Sequence, residues 1–472
     1  MIAKEDVTFV KEEFKRFGIN DLLGLSGKYF DAFIDVLCWS YRDTDEDIWV
    51  NSRFQRIDNF YIKTCVVLGG ALISSIKCFI KYNNYSIHAL RNRIIAMPFC
   101  GSHVRYKYIH ELIDEDITIQ YPPLFHYQYL QEHINSFKER GNSITIGRFT
   151  IKEVLSITMQ IFKRMRDLKR CHEEIDLYFT RNYGYLMSAI VTSLLYKKYI
   201  IRFISVISDD NLPCKWLFDY DFDYKYIVFN NEIKKHRSND ITIHLQHGAF
   251  FGYQEAYCNP VSDMSLCCSQ REKVIIESYN KYQSKICALG SSLQSIDLNR
   301  YNKVPVSNDV LVLLTDTVLA ETTEFQKQIL VDLSQSGLKV LIRYRPQSAD
   351  IDKKVLSAYT HSMKVSEGTT LKNDILSSKM VVCFSEDAVF ECFRNHKRVV
   401  YIVGDTSFYN FTNAESSQMH IFSPKTFDSS IFNTNFEDDV IDYSTDKFVK
   451  YNFGDFEFER IKNNINEILR HN

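Results

Sequence analysis

Histidine is the residue type best suited to acid–base chemistry near neutral pH, and one occurs in the sequence Gln246-His247-Gly248. The alternating segment before it, residues 241–245, predicts a strand, and Gly248 permits φ > 0 and close approach of a substrate. The unperturbed pKa of histidine lies near neutrality, so His247 can act as a general base at the strand end. We therefore predict His247 as catalytic and Gly248 as part of the substrate site. The alternative is a histidine that only satisfies local hydrogen bonds, which is our interpretation of His244.

Two arginines follow a strand-like run in the second half of the chain, at Arg343-Tyr344-Arg345-Pro346. Proline ends the strand, so both arginines lie near its carboxyl end. A guanidinium there can bind a phosphate through two parallel hydrogen bonds. We predict that Arg343 and Arg345 contact a phosphate, and the alternative is a pair of surface salt bridges.

A third candidate is a helix start at Ser385-Glu386-Asp387. Ser385 can cap the helix, and the unpaired N–H groups and helix dipole favour an anion at this end. The two acidic residues repel a phosphate, but they can accept hydrogen bonds from sugar hydroxyls. We predict Ser385 and Glu386 as ligand contacts, with plain helix capping as the alternative.

Two weaker candidates also follow strands. Gly290-Ser291 closes the last strand of the first half, and Thr315 follows a continuous apolar run, residues 310–314. The chain contains no GxSxG, HExxH, Walker or GxGxxG motif. Their absence argues against the hydrolases, zinc proteases, P-loop proteins and dinucleotide enzymes that carry these motifs.

Alternating strands and helices must position these residues. The alternation predicts parallel βα units and doubly wound sheets. Helices are predicted over residues 7–17, 29–39, 104–113, 151–170, 185–196, 271–282, 323–333, 371–378, 386–394 and 456–469. Strands are predicted at residues 93–99, 117–121, 175–179, 199–206, 226–229, 241–247, 263–268, 285–289, 310–314, 338–344, 380–384 and 398–403.

A polar segment that contains Pro305, residues 293–308, is the predicted boundary between two such units. The sequence thus predicts an α/β protein with a helical region at 1–90 and Rossmann-like units at 91–292 and 307–472. If the units face a cleft, ligands bind there and at the carboxyl ends of the strands.

Composition restricts the partners and the compartment. The 472 residues are 45% hydrophobic and 25% charged, as in a soluble globular protein. The net charge of −2 provides no general basic field, so nucleic acid is not expected as a partner. Twelve cysteines without metal-ligand spacing favour free thiols in a reducing cytoplasm and no metal site. The chain begins without a signal-peptide pattern, and its most apolar window, residues 64–80, is too short and interrupted to span a bilayer.

The order of these motifs resembles a known family. Five features follow one another over roughly residues 240–405. They are the strand with Gln246-His247-Gly248, the strand led by Asp263, the strand ending in Gly290-Ser291, Arg345-Pro346, and Ser385 with the later Glu391. This order is similar to that of GT-B glycosyltransferases of bacterial surface polysaccharides, particularly the CDP-glycerol glycerophosphotransferase and capsule transferase group. The family usually has histidine where this chain has Arg345, and a Ser-Ser or Ser-Thr pair where it has Ser385-Glu386.

The resemblance implies a GT-B fold and a sugar donor linked to CMP, CDP or UDP, without a further cofactor. It implies that His247 is catalytic, and we place Asp263 with it. It also implies that Arg345 and the helix start at Ser385 hold the phosphates while Glu391 holds the ribose. The acceptor would be a glycan or a lipid-linked molecule, which leaves contact with the cytoplasmic face of the inner membrane open. Three alternatives remain: transfer of a polyol phosphate, a nucleotide-sugar epimerase or binding protein, and a non-catalytic scaffold.

Overall fold

The structure of the protein is a computed structural model. It describes residues 4–42, part of 61–76, 93–97, 113–123, 143–179, 185–207, 212–218, 224–245, 259–290, 304–314, 320–344, 349–361, 363–384, 386–402, 419–422, 426–433, 441, 443–454 and 458–471.

The first sheet has seven parallel strands in the order β3-β2-β1-β4-β5-β6-β7. Its short, mostly buried strands are typical of a parallel sheet with both faces covered. The strands are β1 Ile94–Met97, β2 Ile117–Tyr121, β3 Ser143–Ile146, β4 Lys215–Phe218, β5 Ile241–Leu245, β6 Met264–Cys267 and β7 Lys285–Ala288.

The helices of this first unit pack mainly against one face of the sheet. Helix α4 begins at a capping box, in which Thr150 and Glu153 satisfy each other's backbone N–H groups. The described helices are α1 Lys4–Arg16, α2 Ile19–Leu23, α3 Lys28–Arg42, α4 Ile151–Tyr178, α5 Tyr185–Ile204, α6 Tyr224–His236 and α7 Gln270–Tyr279. The N-terminal helices share one hydrophobic core with α4, α5 and α6, so they are part of the first unit's packing.

The second sheet has six parallel strands in the order β10-β9-β8-β11-β12-β13. Alternate residues of its strands enter two cores, one on each face. Its strands are β8 Asn308–Leu313, β9 Val340–Arg343, β10 Lys364–Val365, β11 Ser378–Cys383, β12 Arg398–Ile402 and β13 Met419–Phe422. The helices that follow are α8 Ala320–Gln335, α9 Ala349–Thr360, α10 Leu371–Leu376, α11 Glu386–Arg394, α12 Lys447–Phe453 and α13 Phe458–His471, with 3₁₀ turns at Ser429–Asn433 and Tyr443–Thr445.

The last helix, α13, returns to the first sheet. Its Ile461, Ile465 and Leu469 are buried in one core with Ile94 and Ile117 of β1 and β2. The side chain of Asn466 accepts a hydrogen bond from the backbone N–H of Asp114 at 2.9 Å, and Lys462 pairs with the Asp114 carboxylate at 2.9 Å. Although α13 falls within the sequence range predicted for the second unit, it covers a face of the first.

The predicted fold class, two doubly wound α/β units preceded by helices, is confirmed. Three predicted strands are wrong, because residues 175–179, 199–206 and 226–229 lie in or at the ends of helices α4, α5 and α6. Residues 226–229 are all buried, and a short apolar run buried on every side fits a strand or a helix equally well. Strands β3, β4, β10 and β13 were not predicted. The helix predicted over residues 104–113 lies outside the described residues, apart from Ile113. Of the helices that the structure describes, none combines the length and apolarity needed to cross a bilayer.

Candidate functional site

Each sheet has one point where the strand order reverses. In the second sheet it lies between β8 and β11, whose last residues, Leu313 and Cys383, are register partners. In the first sheet it lies between β1 and β4, where Met97 pairs with Phe218. Ligands of doubly wound sheets bind outside the carboxyl ends of the strands at such a switch point.

Two predicted nucleotide contacts follow the strands beside the second switch point. Thr315 stands two residues after the end of β8, and Ser385 stands two residues after the end of β11. Both residues lie outside the part of the chain that the structure describes. Helix α11 begins at Glu386 directly after Ser385, so the helix start predicted from the sequence is confirmed, although the side chain of Glu386 is not described.

Arg343 is the last residue of β9, the neighbour of β8. Its guanidinium Nη1 donates to Asp374 Oδ2 at 2.6 Å, to Ser366 Oγ at 3.2 Å and to the Thr369 carbonyl at 3.0 Å. Asp374 is buried and Arg343 is half-buried, so this ion pair ties the end of β9 to helix α10. The salt bridge that we gave as the alternative to phosphate binding is therefore present at Arg343. Arg345 lies outside the described residues.

Glu391 lies in the second turn of α11 and is half-buried. Its carbonyl oxygen accepts hydrogen bonds from the backbone N–H of Asn395 at 3.3 Å and from the Asn395 side chain at 2.7 Å. Neighbouring Val389, Phe390 and Phe393 anchor the helix in the core, which fixes the position of its N-terminal end relative to β11.

The proposed general base follows β5 in the first sheet. His247 and Gly248 lie outside the described residues, but β5 ends at Leu245, two residues before the histidine. Strand β5 pairs with β4, which flanks the first switch point. The described strand therefore ends at the edge of the sheet where ligands bind in this class of fold.

His244 has a different environment within β5. Its Nδ1 lies 2.9 Å from the hydroxyl of Ser265 on the adjacent strand β6. Burial lowers the pKa of His244 to about 4, so its imidazole is neutral near pH 7. The contact supports the structural interpretation of this histidine.

Asp263 lies at the opposite edge of the first sheet, directly before β6 begins. Its Oδ2 accepts hydrogen bonds from the N–H of Thr242 at 2.9 Å and from its hydroxyl at 3.1 Å, and pairs with Lys234 at 2.6 Å. These contacts join the amino ends of β5 and β6 to helix α6. The structure does not bring Asp263 to the edge from which residues 246–248 follow.

Gly290 lies two residues after the end of β7. It is buried and has φ of 105°, and Ser291 lies outside the described residues.

Gly454, between α12 and α13, is in close contact with this edge of the first sheet. A Cβ at residue 454 would overlap the carbonyl of Cys268 and lie 3.4 Å from Gly290 Cα. Cys268 follows the last residue of β6, so the chain crosses between the two units at the carboxyl ends of β6 and β7. We did not identify Gly454 from the sequence, where the only signal was a glycine after a short helical segment.

Metal binding was not expected from the sequence. Within the described ranges, no cluster of three or more His, Cys, Asp or Glu side chains could hold a metal ion. A metal-independent mechanism remains a prediction, since several candidate residues lie outside these ranges.

No protein-family model matches the chain, and no curated protein sequence matches it. Solved structures similar to it include the lipopolysaccharide outer core galactosyltransferase WaaB, at 10% identity over 80% of this chain and 99% of that one, with a TM-score of 0.47. Arabidopsis thaliana UGT89C1 complexed with UDP-L-rhamnose is 14% identical over 80% and 99%, with a TM-score of 0.46. The UDP-GlcNAc 2-epimerase of Methanocaldococcus jannaschii is 12% identical over 80% and 99%, also with a TM-score of 0.46. Similarity this low assigns neither an activity nor a substrate to this chain.

Proposed function

We propose that this chain is a glycosyltransferase that moves a sugar from a CMP-, CDP- or UDP-linked donor to a glycan or lipid-linked acceptor. We further propose that it acts at the cytoplasmic face of the inner membrane in bacterial surface polysaccharide synthesis. One observation carries the proposal: residue types that bind phosphates and hydroxyls follow both strands beside the switch point of the second sheet. Doubly wound sheets bind nucleotides at that point.

The donor belongs to the second unit in this proposal. The N–H groups at the start of α11, with Ser385, and the guanidinium of Arg345 hold the phosphates. Glu391 accepts hydrogen bonds from the ribose. Arg343 acts as a positioning residue, because its ion pair with the buried Asp374 holds the end of β9 beside the site.

The acceptor belongs to the first unit. The acceptor hydroxyl oxygen attacks the anomeric carbon while the bond from that carbon to the donor phosphate oxygen breaks. His247 takes the hydroxyl proton, and Arg345 and the α11 N-terminus stabilise the negative charge that develops on the leaving nucleotide. Asp263 takes no part in this step, because its carboxylate holds Thr242 and Lys234 at the opposite edge of the sheet.

The test is sugar transfer by His247→Ala, with His361→Ala as the control. If His247 is the general base, its loss should lower turnover by ~10²–10⁴-fold. His361 is exposed at the end of α9, where its Nδ1 contacts the Ala358 carbonyl at 2.8 Å, so its replacement should leave turnover within about twofold. A loss under tenfold at His247 in a folded protein would remove it from this role.

Mass spectrometry of the product separates the proposal from its competitors. A glycosyltransferase adds the mass of one sugar residue and no phosphorus to the acceptor. Phosphorus in the added group would indicate transfer of a polyol phosphate, and conversion of the donor without an acceptor would indicate an epimerase. Either result would contradict the proposed reaction.

A further inference from the structure

Helix α4 exposes a row of large apolar side chains. Ile151, Leu155, Met159 and Phe162 are 58%, 60%, 58% and 57% exposed. Their spacing of four, four and three residues places them on one side of the helix. The row begins five residues after β3 ends at Ile146, on the side of the first sheet where the strands have their carboxyl ends.

This row is separate from the face of α4 that packs in the hydrophobic core. Val154, Ile157, Ile161 and Leu168 are buried in the core that α4 shares with the N-terminal helices. A helix at the surface of a globular protein normally presents polar and charged residues on its outer face. Helix α4 therefore has a second apolar face that packing within the described unit does not explain.

Basic side chains continue the same face toward the middle of the helix. Lys163, Arg166, Lys169 and Arg170 line an open groove of about 510 Å³ together with Phe162, Met165, Glu173 and the ring of Tyr61. Lys169 Nζ lies 5.8 Å from the centre of that ring.

Positive charge is concentrated in the first twenty residues of α4. Residues 151–170 contain six basic and two acidic side chains, a net charge of +4, whereas Glu173, Glu174 and Asp176 lower the net charge of the whole helix to +1. One of the two acids, Glu153, pairs with Arg202 at 2.8 Å, and the other, Asp167, pairs with Arg164 at 3.1 Å. Of the four cations that line the groove, Lys169 pairs with Glu173 at 3.4 Å. Four basic side chains and one acidic side chain leave the groove with a net charge of +3 beside the exposed apolar row.

We propose that the outer face of α4 binds the surface of an anionic lipid bilayer. Apolar side chains on one helix face enter the boundary between headgroups and acyl chains, while lysine and arginine attract anionic headgroups. Each basic residue near such a surface contributes to binding, and salt weakens that contribution. A second copy of the chain would cover the apolar row, but its own α4 would bring the same positive charges together.

The experiment is vesicle co-sedimentation of the whole 472-residue chain. Vesicles of phosphatidylcholine mixed with phosphatidylglycerol should bind the protein, vesicles of phosphatidylcholine alone should bind it weakly, and high salt should release it. The double variants Arg166→Glu/Arg170→Glu and Leu155→Ser/Phe162→Ser should each bind at least about tenfold more weakly. Because these positions are exposed, the thermal unfolding midpoints should stay close to that of the parent protein.

The matched control is Lys354→Glu/Val355→Ser, two exposed residues on α9 of the second unit, which should bind as the parent does. Equal binding of both α4 variants and the parent would overturn the proposal, as would equal binding to neutral and anionic vesicles. A dimer that Leu155→Ser/Phe162→Ser dissociates, without vesicle binding, would identify the face as a self-association surface instead. The inference rests on the membrane location in the proposed function and names the surface that would provide it. Sugar transfer plays no part in this assay, so vesicle binding and the proposed transfer reaction can fail independently of each other.

Discussion

The two sheets share the same pattern of strand order but differ in what covers them. Both faces of the second sheet are covered by helices that follow its own strands. One face of the first sheet is covered by α1 to α6, and among the described residues the other is covered by α13 from the end of the chain. The second unit therefore completes its own cores, whereas the first needs both ends of the chain.

This difference has a consequence for how the units are coupled. The chain passes from α12, which packs in the second unit, through Gly454 to α13, which packs on the first. The crossing lies against the carboxyl ends of β6 and β7. A change in the relative position of the units must therefore act on the edge of the first sheet where the acceptor is proposed to bind.

The largest effect is expected from a charge buried between helix α13 and the first sheet. Ile465 of α13 is fully buried against that sheet, and Ile465→Asp would bury an unpaired carboxylate. The expected loss is more than about 4 kcal/mol of unfolding free energy, measured by urea titration. Hydrogen exchange should rise in β1 and β2 while β8 and β11 stay protected.

The control for this prediction introduces the same residue on the same helix. Asn463 is exposed, so Asn463→Asp should change the unfolding free energy by less than about 0.5 kcal/mol. Equal loss of protection in both sheets after Ile465→Asp would show that the second unit also depends on α13, contrary to the comparison.

A smaller effect is expected at the crossing itself. Gly454 has φ of 87°, where an L-residue is strained, and a Cβ would overlap the backbone of Cys268. Gly454→Ala should therefore cost about 3 kcal/mol. Gly337→Ala, at φ of 74° with no atom near its added Cβ, should cost only about 1 kcal/mol, because backbone strain alone acts there. Equal losses in the two variants would mean that the crossing contributes nothing to stability.

The smallest effect concerns acid sensitivity of the first unit. The pKa of His244 is about 4 in the folded chain, and about 6.5 is typical of an unfolded one. The unfolded state therefore binds more protons between these values, so stability that is present above pH 6.5 is lost as the pH falls towards 4. From pH 7.5 to 5 the loss attributable to this group is about 2 kcal/mol.

His244→Gln removes the titrating group and keeps a polar partner for Ser265. Urea titrations at both pH values should show that the variant loses about 2 kcal/mol less than the parent on acidification. The same acid loss in both proteins would contradict a half-buried His244 that is neutral near pH 7. The corresponding comparison in the second unit, His361→Gln at an exposed site, should leave the pH dependence unchanged.

In the second unit the sequence predicts four of the six described strands and misses β10, β13 and the helices α9 and α12. The apolar runs of β8, β9, β11 and β12 are strands bounded by clear breaks, and each was predicted. In the first unit, α5 and α6 are rich in aromatic and β-branched residues because they are buried in a large core, and parts of them were predicted as strands. Local patterns indicate burial on all sides but do not distinguish the two conformations.

Long-range partners account for most of what the sequence did not reveal. Arg343 meets Asp374 across 31 residues, and α13 reaches a sheet that ends far earlier in the chain. Neither contact has a local signature. Asp263 shows the same limit, because its type suggested catalysis while its place at the amino end of β6 gives it structural partners. The assignments of His247, Gly248, Ser291, Thr315, Arg345, Ser385 and the side chain of Glu386 stay predictions.

Nucleotide binding followed by hydrogen exchange tests the central claim most directly, because it asks which sheet holds the donor. The chain should be mixed in turn with CMP, CDP, UDP and GDP, and one of the first three should raise the unfolding temperature. A nucleotide at 100 times its Kd adds ~2.7 kcal/mol to the unfolding free energy. With that nucleotide, exchange should slow in peptides after β8 and at the start of α11, and stay unchanged after β1 and β4. No shift with any nucleotide, or protection confined to the first sheet, would contradict the account.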